Sequence, residues 1–164
     1  MNEQRLAELE RRLRHIEDER AIERMIASYG PLVDAGEAES VAALWDTDGS
    51  YDVEDWVMRG RAEVAKMVRS RGHQDLINNG CTHFLGPAVV TVRGDDAVAV
   101  CESVLLIKGE HGYRAARAGA NYFHLTRAPE SPGGWQIAER ITRRLDGTEH
   151  SRGLLVDGVE GRIR

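Results

Sequence analysis

The stretches AVAVCESVLLIK (residues 97–108) and YRAARAGANYFHLTR (113–127) carry the clearest structural signal in this chain. The first segment is long and apolar, and the lengths of both predict extended β-strands rather than short ones. The sequence Gly94-Asp95-Asp96 just before them indicates a hairpin turn. Working outward, shorter strands are predicted at 82–85 and 88–93, and a last long strand at 135–145. The second half of the chain therefore predicts a sheet of long strands joined by hairpins.

The first half of the chain predicts helices. Apolar residues spaced three and four apart indicate a helix over residues 3–29, and its first part carries only a narrow seam: Leu6, Leu9, Leu13 and Ile16. Helices that pack against one partner helix have such seams, so we interpret residues 1–17 as a helical extension that lies on a second subunit. Gly30-Pro31 predicts a break or kink in this helix, after which residues 32–36 continue for one more turn that ends on Gly36. Two short helices are predicted at 39–45 and 61–71, with a small hairpin between them.

The order of these elements, helices first and strands afterwards, is typical of α+β proteins. Long strands twist and curl, and helices on the concave side can close a cone around a pocket. We therefore predict a cone-shaped, curved antiparallel sheet wrapped around helices, an α+β barrel. The 164 residues suit a single domain at 1–147. Residues 148–164 have no clear periodicity and are interpreted as a C-terminal tail.

Composition excludes several classes of protein. A hydrophobic fraction of 41% and a charged fraction of 30% argue against a disordered chain. The net charge of −5 makes nucleic acid an improbable partner, and no apolar run approaches the roughly 20 residues that a membrane span needs. The N-terminus lacks the apolar core of a signal peptide. Cys81 and Cys101 lie far apart and are expected to be free thiols, which indicates a cytoplasmic protein.

The common motifs of cofactor and metal chemistry are missing from the sequence, so we expect neither a cofactor nor a metal site. The remaining evidence for a site is the position of single residues on the predicted helices and strands. Asp34 ends an apolar helical run, and His83 lies near the start of a strand. Taken singly, each is better explained as a structural residue. Taken together they form a candidate base, because a carboxylate bonded to one imidazole nitrogen leaves the other nitrogen free to accept a proton.

Several short segments carry a family resemblance: IERMIASY (22–29), DAGE (34–37), AALW (42–45), GRAEV (60–64), THFLG (82–86), RAGANY (117–122) and GWQI (134–137). They resemble SnoaL-like proteins of the nuclear-transport-factor-like superfamily, and the resemblance covers about residues 18–147. It implies an α+β cone fold. It says less about the reaction, because the superfamily includes dehydratases, isomerases, cyclases, dehydrochlorinases, epoxide hydrolases and non-catalytic subunits.

The resemblance also implies roles for individual residues. In several lyases of the superfamily, an aspartate at the end of the first long helix and a histidine entering a strand form the base. Scytalone dehydratase, hexachlorocyclohexane dehydrochlorinase and bile acid 7α-dehydratase are similar in this respect. Asp34 and His83 fall on these two positions, and Tyr29 matches the tyrosine that precedes the aspartate in the bile acid enzyme. Tyr29 is therefore a candidate donor to a substrate oxygen or leaving group.

Five residues are candidates for substrate binding: Asn121, Tyr51, Trp56, Met58 and Arg144. An amide such as Asn121 on a cavity face could orient a carbonyl or hydroxyl group. The two aromatic residues and the methionine are interpreted as pocket walls, although core packing explains each of them as well. Arg144 could meet an anionic substrate group. Its neighbour Arg143 points to the opposite face of the strand. The sequence leaves open which of the two arginines turns inward.

Two functions from different classes are compatible with these observations. The first is a cofactor-independent lyase or isomerase acting on a small, mostly apolar molecule such as a polyketide, terpenoid, steroid or aromatic catabolite. The second is a non-catalytic protein of the same fold, either a ligand carrier or a small subunit resembling that of ring-hydroxylating dioxygenases. In both cases we expect a homodimer, because the resemblance implies sheet-to-sheet pairing and the first helix offers apolar surface. The sequence does not distinguish elimination from isomerisation or cyclisation.

Overall fold

A curved, unclosed sheet of seven strands wraps around helices in the computed structural model, which describes residues 3–164. The helices are α1 (Glu3–Asp34), α2 (Ala38–Ala42), α3 (Gly60–Arg69), α4 (Arg71–Asn79) and α5 (Glu149–Val159). The strands are β1 (Trp45–Val53), β2 (Trp56–Arg59), β3 (Cys81–Leu85), β4 (Val89–Arg93), β5 (Asp96–Gly109), β6 (Gly112–Arg127) and β7 (Trp135–Arg144). The predicted α+β fold is confirmed.

The sheet follows the order β2-β1-β7-β6-β5-β3, and β4 also pairs with β5. Because β5 is long, its first half pairs with β4 and its second half with β3. All pairs are antiparallel except β1 with β7, which run parallel. This parallel pair makes the sheet mixed, whereas we predicted antiparallel strands. Strands β1 and β7 are more than 80 residues apart in sequence, so no hairpin turn in the sequence indicates that they pair.

Helix α1 runs without interruption through Gly30 and Pro31, where the sequence predicts a break or kink. Gly30 is buried against β3, and a Cβ atom at this position would overlap the carbonyl oxygen of His83. The glycine therefore allows a very close approach between helix and strand. Helix α1 is long but highly charged. None of the helices within residues 3–164 is both long enough and apolar enough to cross a membrane.

The concave side of the sheet holds the main core. Helix α1 contributes Ile22, Ile26 and Val33 to it, and all three are almost fully buried. Trp45 of β1 and Trp135 of β7 are equally enclosed. Ile22, Ile26 and Val33 lie on the apolar face of the second half of α1, and their spacing in the sequence is helical.

The convex side is covered by the C-terminal segment, which we predicted to be a tail. Residues 149–159 form α5, and Leu154 of this helix is fully buried in a second small cluster with Val98 and Tyr122. The Tyr122 hydroxyl donates to the Arg162 carbonyl oxygen at 2.8 Å. The segment is thus an ordered cover of the sheet. The sequence periodicity of α5 is weak because Leu154 is its one large apolar side chain that is fully buried against the sheet.

A further helix lies between α3 and β3, where the sequence analysis predicts none. Helix α4 begins after Ser70, whose hydroxyl accepts a hydrogen bond from the backbone N–H of His73 at 3.3 Å. This is an N-cap interaction. No residue of α4 is fully buried.

Candidate active site

The concave side of the sheet also encloses a cavity of about 140 Å³. Its apolar wall comes from β1, β2, α3, β3 and β5, and includes Val53, Trp56, Met58, Met67, Leu85, Val104 and Leu105. Nine further lining residues carry polar groups: Tyr29, Tyr51, His73, His83, Ser103, Arg117, Asn121, Arg140 and Thr142. Most of the cavity surface is nonetheless apolar, and an apolar cavity with convergent polar groups is the usual form of a small-molecule site.

Asp34 and His83 are in direct contact at this cavity. The Nδ1 atom of His83 lies 2.6 Å from Asp34 Oδ1, and the backbone N–H of His83 donates to Asp34 Oδ2 at 2.8 Å. Their side chains are only 20% and 22% exposed. Because the carboxylate occupies Nδ1, the Nε2 atom is the nitrogen left for a ligand.

Burial alone would raise the pKa of Asp34, but hydrogen bonds from the side chain and backbone of His83 outweigh it and hold the pKa below its usual value. Asp34 is therefore an anion at neutral pH. It favours the protonated imidazole that would form if Nε2 accepted a proton.

Cys81 completes a cluster that resembles a metal site. Its Sγ lies 3.6 Å from Asp34 Oδ1, and ligand atoms of Asp34, Cys81 and His83 lie within 4.8 Å of one another. However, burial and then the charge of Asp34 raise the pKa of the thiol to about 11. Asp34 Oδ1 accepts from both Cys81 and His83, so the three side chains form a hydrogen-bonded cluster in this structure.

His73 is a residue of the cavity that sequence reasoning missed. Its ring centroid lies 5.6 Å from that of His83, and its Nε2 lies 3.1 Å from the carbonyl oxygen of Val33. Helix α4 places it there, so the unpredicted helix explains the omission. The available signal was Ser70, a residue that favours helix N-caps, three positions before the histidine.

Arg140 is the second missed residue, and it is the most unusual group in the cavity. It is 2% exposed, and its guanidinium lies 4.1 Å from the centroid of the Tyr29 ring and 4.5 Å from that of Tyr51. One nitrogen donates to Asn121 Oδ1 at 2.7 Å. Within residues 3–164, its Nε and Nη1 have no acceptor. The aromatic faces stabilise the cation, while two of its nitrogens still lack a hydrogen-bond partner.

A β-bulge directs Arg140 into the cavity. Ile137 pairs with Leu125, and Glu139 pairs with His124, so Ala138 has no partner on β6. The extra residue shifts the alternation of β7. Trp135 and Ile137 point inward before the bulge, and Arg140 points inward after it. Simple alternation from Ile137 would instead turn Glu139 inward.

The structure brings four of the five predicted substrate-binding residues to the cavity wall: Asn121, Tyr51, Trp56 and Met58. Tyr51 and Met58 are buried, whereas Trp56 is 57% exposed and lies at the rim. The amide of Asn121 is fully engaged: it donates to Ser103 Oγ at 2.8 Å and accepts from Arg140 and Thr142. Asn121 thus positions Arg140.

Tyr29, the predicted donor, also lines the cavity. Its ring is 6.0 Å from Trp45 and 6.3 Å from Tyr51, in edge-to-face geometry. Burial raises the pKa of Tyr29, and the nearby Tyr51 adds to the effect. The phenol is therefore neutral and can act as a hydrogen-bond donor.

Neither Arg143 nor Arg144 lines the cavity. Arg144 is exposed at the end of β7. Arg143 lies on the other face of the strand and forms ion pairs with Asp52 at 2.7 Å and Asp55 at 3.1 Å. The inward arginine of β7 is Arg140 instead, and the structure does not place Arg144 near His83.

Fold and cavity together define a protein of the nuclear-transport-factor-like superfamily, as the sequence resemblance indicated. Residues 14–141 match the model of the SnoaL-like domain family, and the chain belongs to that family. Among curated proteins, no match was found.

Solved structures agree with this assignment. A nuclear-transport-factor-like protein with a cystatin-like fold from Novosphingobium aromaticivorans is 41% identical, with a TM-score of 0.87, over 92% of this chain and 96% of that one. A function-unknown protein of Mycobacterium tuberculosis is 20% identical (TM-score 0.69; 93% and 92% covered). A proposed aromatic ring hydroxylase of N. aromaticivorans is 22% identical (TM-score 0.61; 79% and 90% covered). The last two show the fold alone.

Proposed function

We propose that the protein is a cofactor-independent lyase or isomerase that removes a proton from a small cyclic substrate by means of His83. The observation that carries the proposal is the short contact between His83 Nδ1 and Asp34 at the wall of an apolar cavity. In such surroundings water screens the pair weakly, so the carboxylate orients the imidazole and stabilises the positive charge that it carries after proton transfer.

The proposed reaction begins at a carbon next to a carbonyl group. His83 Nε2 takes the proton, the C–H electron pair forms a carbon–carbon double bond, and the carbonyl oxygen carries the transient negative charge. In an elimination, the hydroxyl group on the next carbon then leaves and takes the proton from the imidazolium, so the products are an enone and water. In an isomerisation, the imidazolium returns the proton to a different carbon.

Arg140 and Tyr29 are proposed to stabilise the transient anion. Arg140 offers two nitrogens, Nε and Nη1, whose N–H groups have no acceptor among residues 3–164, and Tyr29 offers a neutral hydroxyl. Donors of this kind act most strongly where charge develops in a site that excludes water. Asn121 takes the role of a positioning residue, since its amide oxygen holds the guanidinium.

The cavity volume of about 140 Å³ favours a substrate with a single six-membered ring. An apolar cavity of roughly this volume accommodates one benzene molecule. Larger polycyclic compounds would have to extend past Trp56 at the rim. Within the classes suggested by the sequence, monocyclic aromatic or alicyclic catabolites therefore fit better than steroids.

The alternative is a non-catalytic role as a ligand carrier or as a small subunit of a ring hydroxylase. It is favoured by the fold shared with the proposed aromatic ring hydroxylase of N. aromaticivorans. A purely structural subunit, however, has no need for a partly buried Asp–His pair and a buried arginine at the same cavity. We also propose a cytoplasmic location, which the two free thiols support.

A direct test uses 3-hydroxycyclohexanone and ring-substituted analogues in D₂O, followed by proton NMR. We expect exchange of the C2 protons, formation of the enone, or both, with at least one panel member. His83→Ala should slow this reaction about 10²–10⁴-fold. His124→Ala is the matched control, because His124 also pairs with an aspartate but does not line the cavity.

Two outcomes would contradict the proposal. Equal rates for His83→Ala and the unmodified protein would exclude His83 as the base. Binding of panel members in the cavity, seen as chemical-shift changes, without exchange or elimination would favour the carrier function.

A further inference from the structure

The first half of α1 leaves the globular body as a single helix. Residues 3–17 are exposed with the exception of Ala7, which is half-buried. The helix joins the body at Asp18, which accepts hydrogen bonds from Arg127 at 2.9 Å and from the indole N–H of Trp135 at 2.9 Å. From this anchor the 15 preceding described residues extend about 22 Å.

The extension carries an apolar seam without a partner within residues 3–164. Leu6, Leu9, Leu13 and Ile16 are 45%, 45%, 56% and 53% exposed. Their spacing of three, four and three residues is that of the a and d positions of two coiled-coil heptads. Isolated helices of this length are marginal in water, so the extension gains stability when the seam is covered.

The charged residues that flank the apolar seam indicate which kind of helix can pair with it. Arg5 and Arg12 occupy the g positions, while Glu10 and Glu17 occupy the e positions. None of these four residues forms an ion pair in the part of the chain that the structure describes. By contrast, Glu8 and Arg11, on the outer side of the helix, pair with each other. The flanking charges are therefore available to a second helix.

We propose that residues 3–17 pair with the same segment of a second copy of this chain as a parallel coiled coil. In a parallel pair, each g residue faces the e residue five positions further along the other helix. Arg5 then faces Glu10, and Arg12 faces Glu17, twice each by symmetry. In an antiparallel pair, e faces e and g faces g, so that glutamates meet glutamates and arginines meet arginines.

Cysteine cross-linking of the full chain tests the orientation. In a parallel pair, identical a or d residues face each other, so Leu6→Cys and Ile16→Cys should each form a covalent dimer when prepared separately. These positions are about 15 Å apart along one helix, beyond the reach of a disulfide. Mixing the two variants should therefore give no 6-to-16 product. Arg11→Cys, on the outer side of the helix, is the matched control and should remain monomeric on denaturing gels.

Charge exchange tests the ion pairs. Glu10→Arg combined with Glu17→Arg places like charges at four contacts and should weaken self-association, measured by sedimentation velocity, about tenfold. Adding Arg5→Glu and Arg12→Glu to the same chain should restore it. The exchange Glu8→Arg with Arg11→Glu alters charges away from the seam and should leave association unchanged.

The proposal is overturned by a chain that stays monomeric at all concentrations, or by cross-linking no stronger than that of Arg11→Cys. It is equally overturned if the covalent product forms only in the mixture, because that result means antiparallel pairing. None of these measurements uses catalysis, so the outcome is independent of the proposed function.

Discussion

Two hydrogen-bonded Asp–His pairs occur within residues 3–164, and they differ in what surrounds them. His83 and Asp34 lie 2.6 Å apart at the wall of the cavity. His124 and Asp96 lie 2.8 Å apart on neighbouring strands β6 and β5, and Asp96 is 47% exposed. The distances are nearly equal, yet of these two histidines only His83 lines the cavity.

The two pairs also differ in which imidazole nitrogen is held. Asp34 contacts Nδ1 of His83 and also accepts from the backbone N–H of the same residue. Asp96 contacts Nε2 of His124, the nitrogen furthest from the backbone. The backbone contact fixes Asp34 against the strand and leaves Nε2 of His83 to the cavity. An Asp–His distance alone therefore does not identify a catalytic base.

The largest effect should come from exchanging the carboxylates. Asp34→Asn keeps the shape of the side chain, but its amide N–H can donate to Nδ1 and would place the imidazole proton on Nε2. We expect the reaction of the cyclic hydroxyketone probe to slow by about 10²–10⁴-fold. Asp96→Asn should leave the rate unchanged, and a similar loss in both variants would mean that the cavity pair has no special role.

A smaller effect on rate should come from the arginines of β7. Arg140→Gln removes the cation that faces the tyrosines, and we expect turnover of the same probe to fall about 10²-fold. Arg144→Gln is the matched control, because Arg144 is exposed outside the cavity. Loss of turnover in the control instead of in Arg140→Gln would restore the role that sequence analysis suggested for Arg144.

The third prediction concerns the contact that brings Asp34 to His83. Gly30→Ala places a methyl group against the carbonyl oxygen of His83, and we expect urea unfolding to show a loss of about 1–3 kcal/mol. Gly72→Ala, in α4, meets no atom within 4 Å and should instead stabilise the protein by about 0.5–1 kcal/mol. NMR signals of His83 should shift in Gly30→Ala, whereas those of His124 should not.

The smallest effect is the acid dependence of stability. The pKa of Asp34 in the folded protein is lowered from 3.8. Its contribution to stability is therefore complete above about pH 4 and is lost as the pH falls through the folded-state pKa. Urea unfolding between about pH 7 and pH 2 should show a shallower acid decline for Asp34→Asn than for the unmodified chain. A decline of equal slope would show that Asp34 does not contribute.

Much of the architecture is predictable from local patterns. The long strands β5 and β6 follow from apolar content and turn residues, which act between near neighbours in sequence. The parallel pairing of β1 with β7 and the position of α5 depend on contacts between distant segments, which local patterns do not encode. At Gly30-Pro31, the expected break is absent because packing against β3 holds the helix together.

Some residues of the candidate site could likewise be predicted from the sequence, whereas others could not. The contact of Asp34 with His83 was expected from the family resemblance, and both residues sit at ends of regular elements. Arg140 was missed because the bulge at Ala138 shifts the alternation on which facing predictions depend. His73 was missed because its helix has a cap but no buried stripe.

The unpaired residue Ala138 has a consequence for the fidelity of folding. If β7 aligned with β6 without this bulge, Glu139 would take the inward place of Arg140, and the local charge would change from positive to negative. A molecule with this register would retain nearly all of its hydrogen-bonded ladder, but it would no longer present the Arg140 guanidinium to the cavity. Pairing in the correct register therefore decides the charge that β7 brings to the cavity.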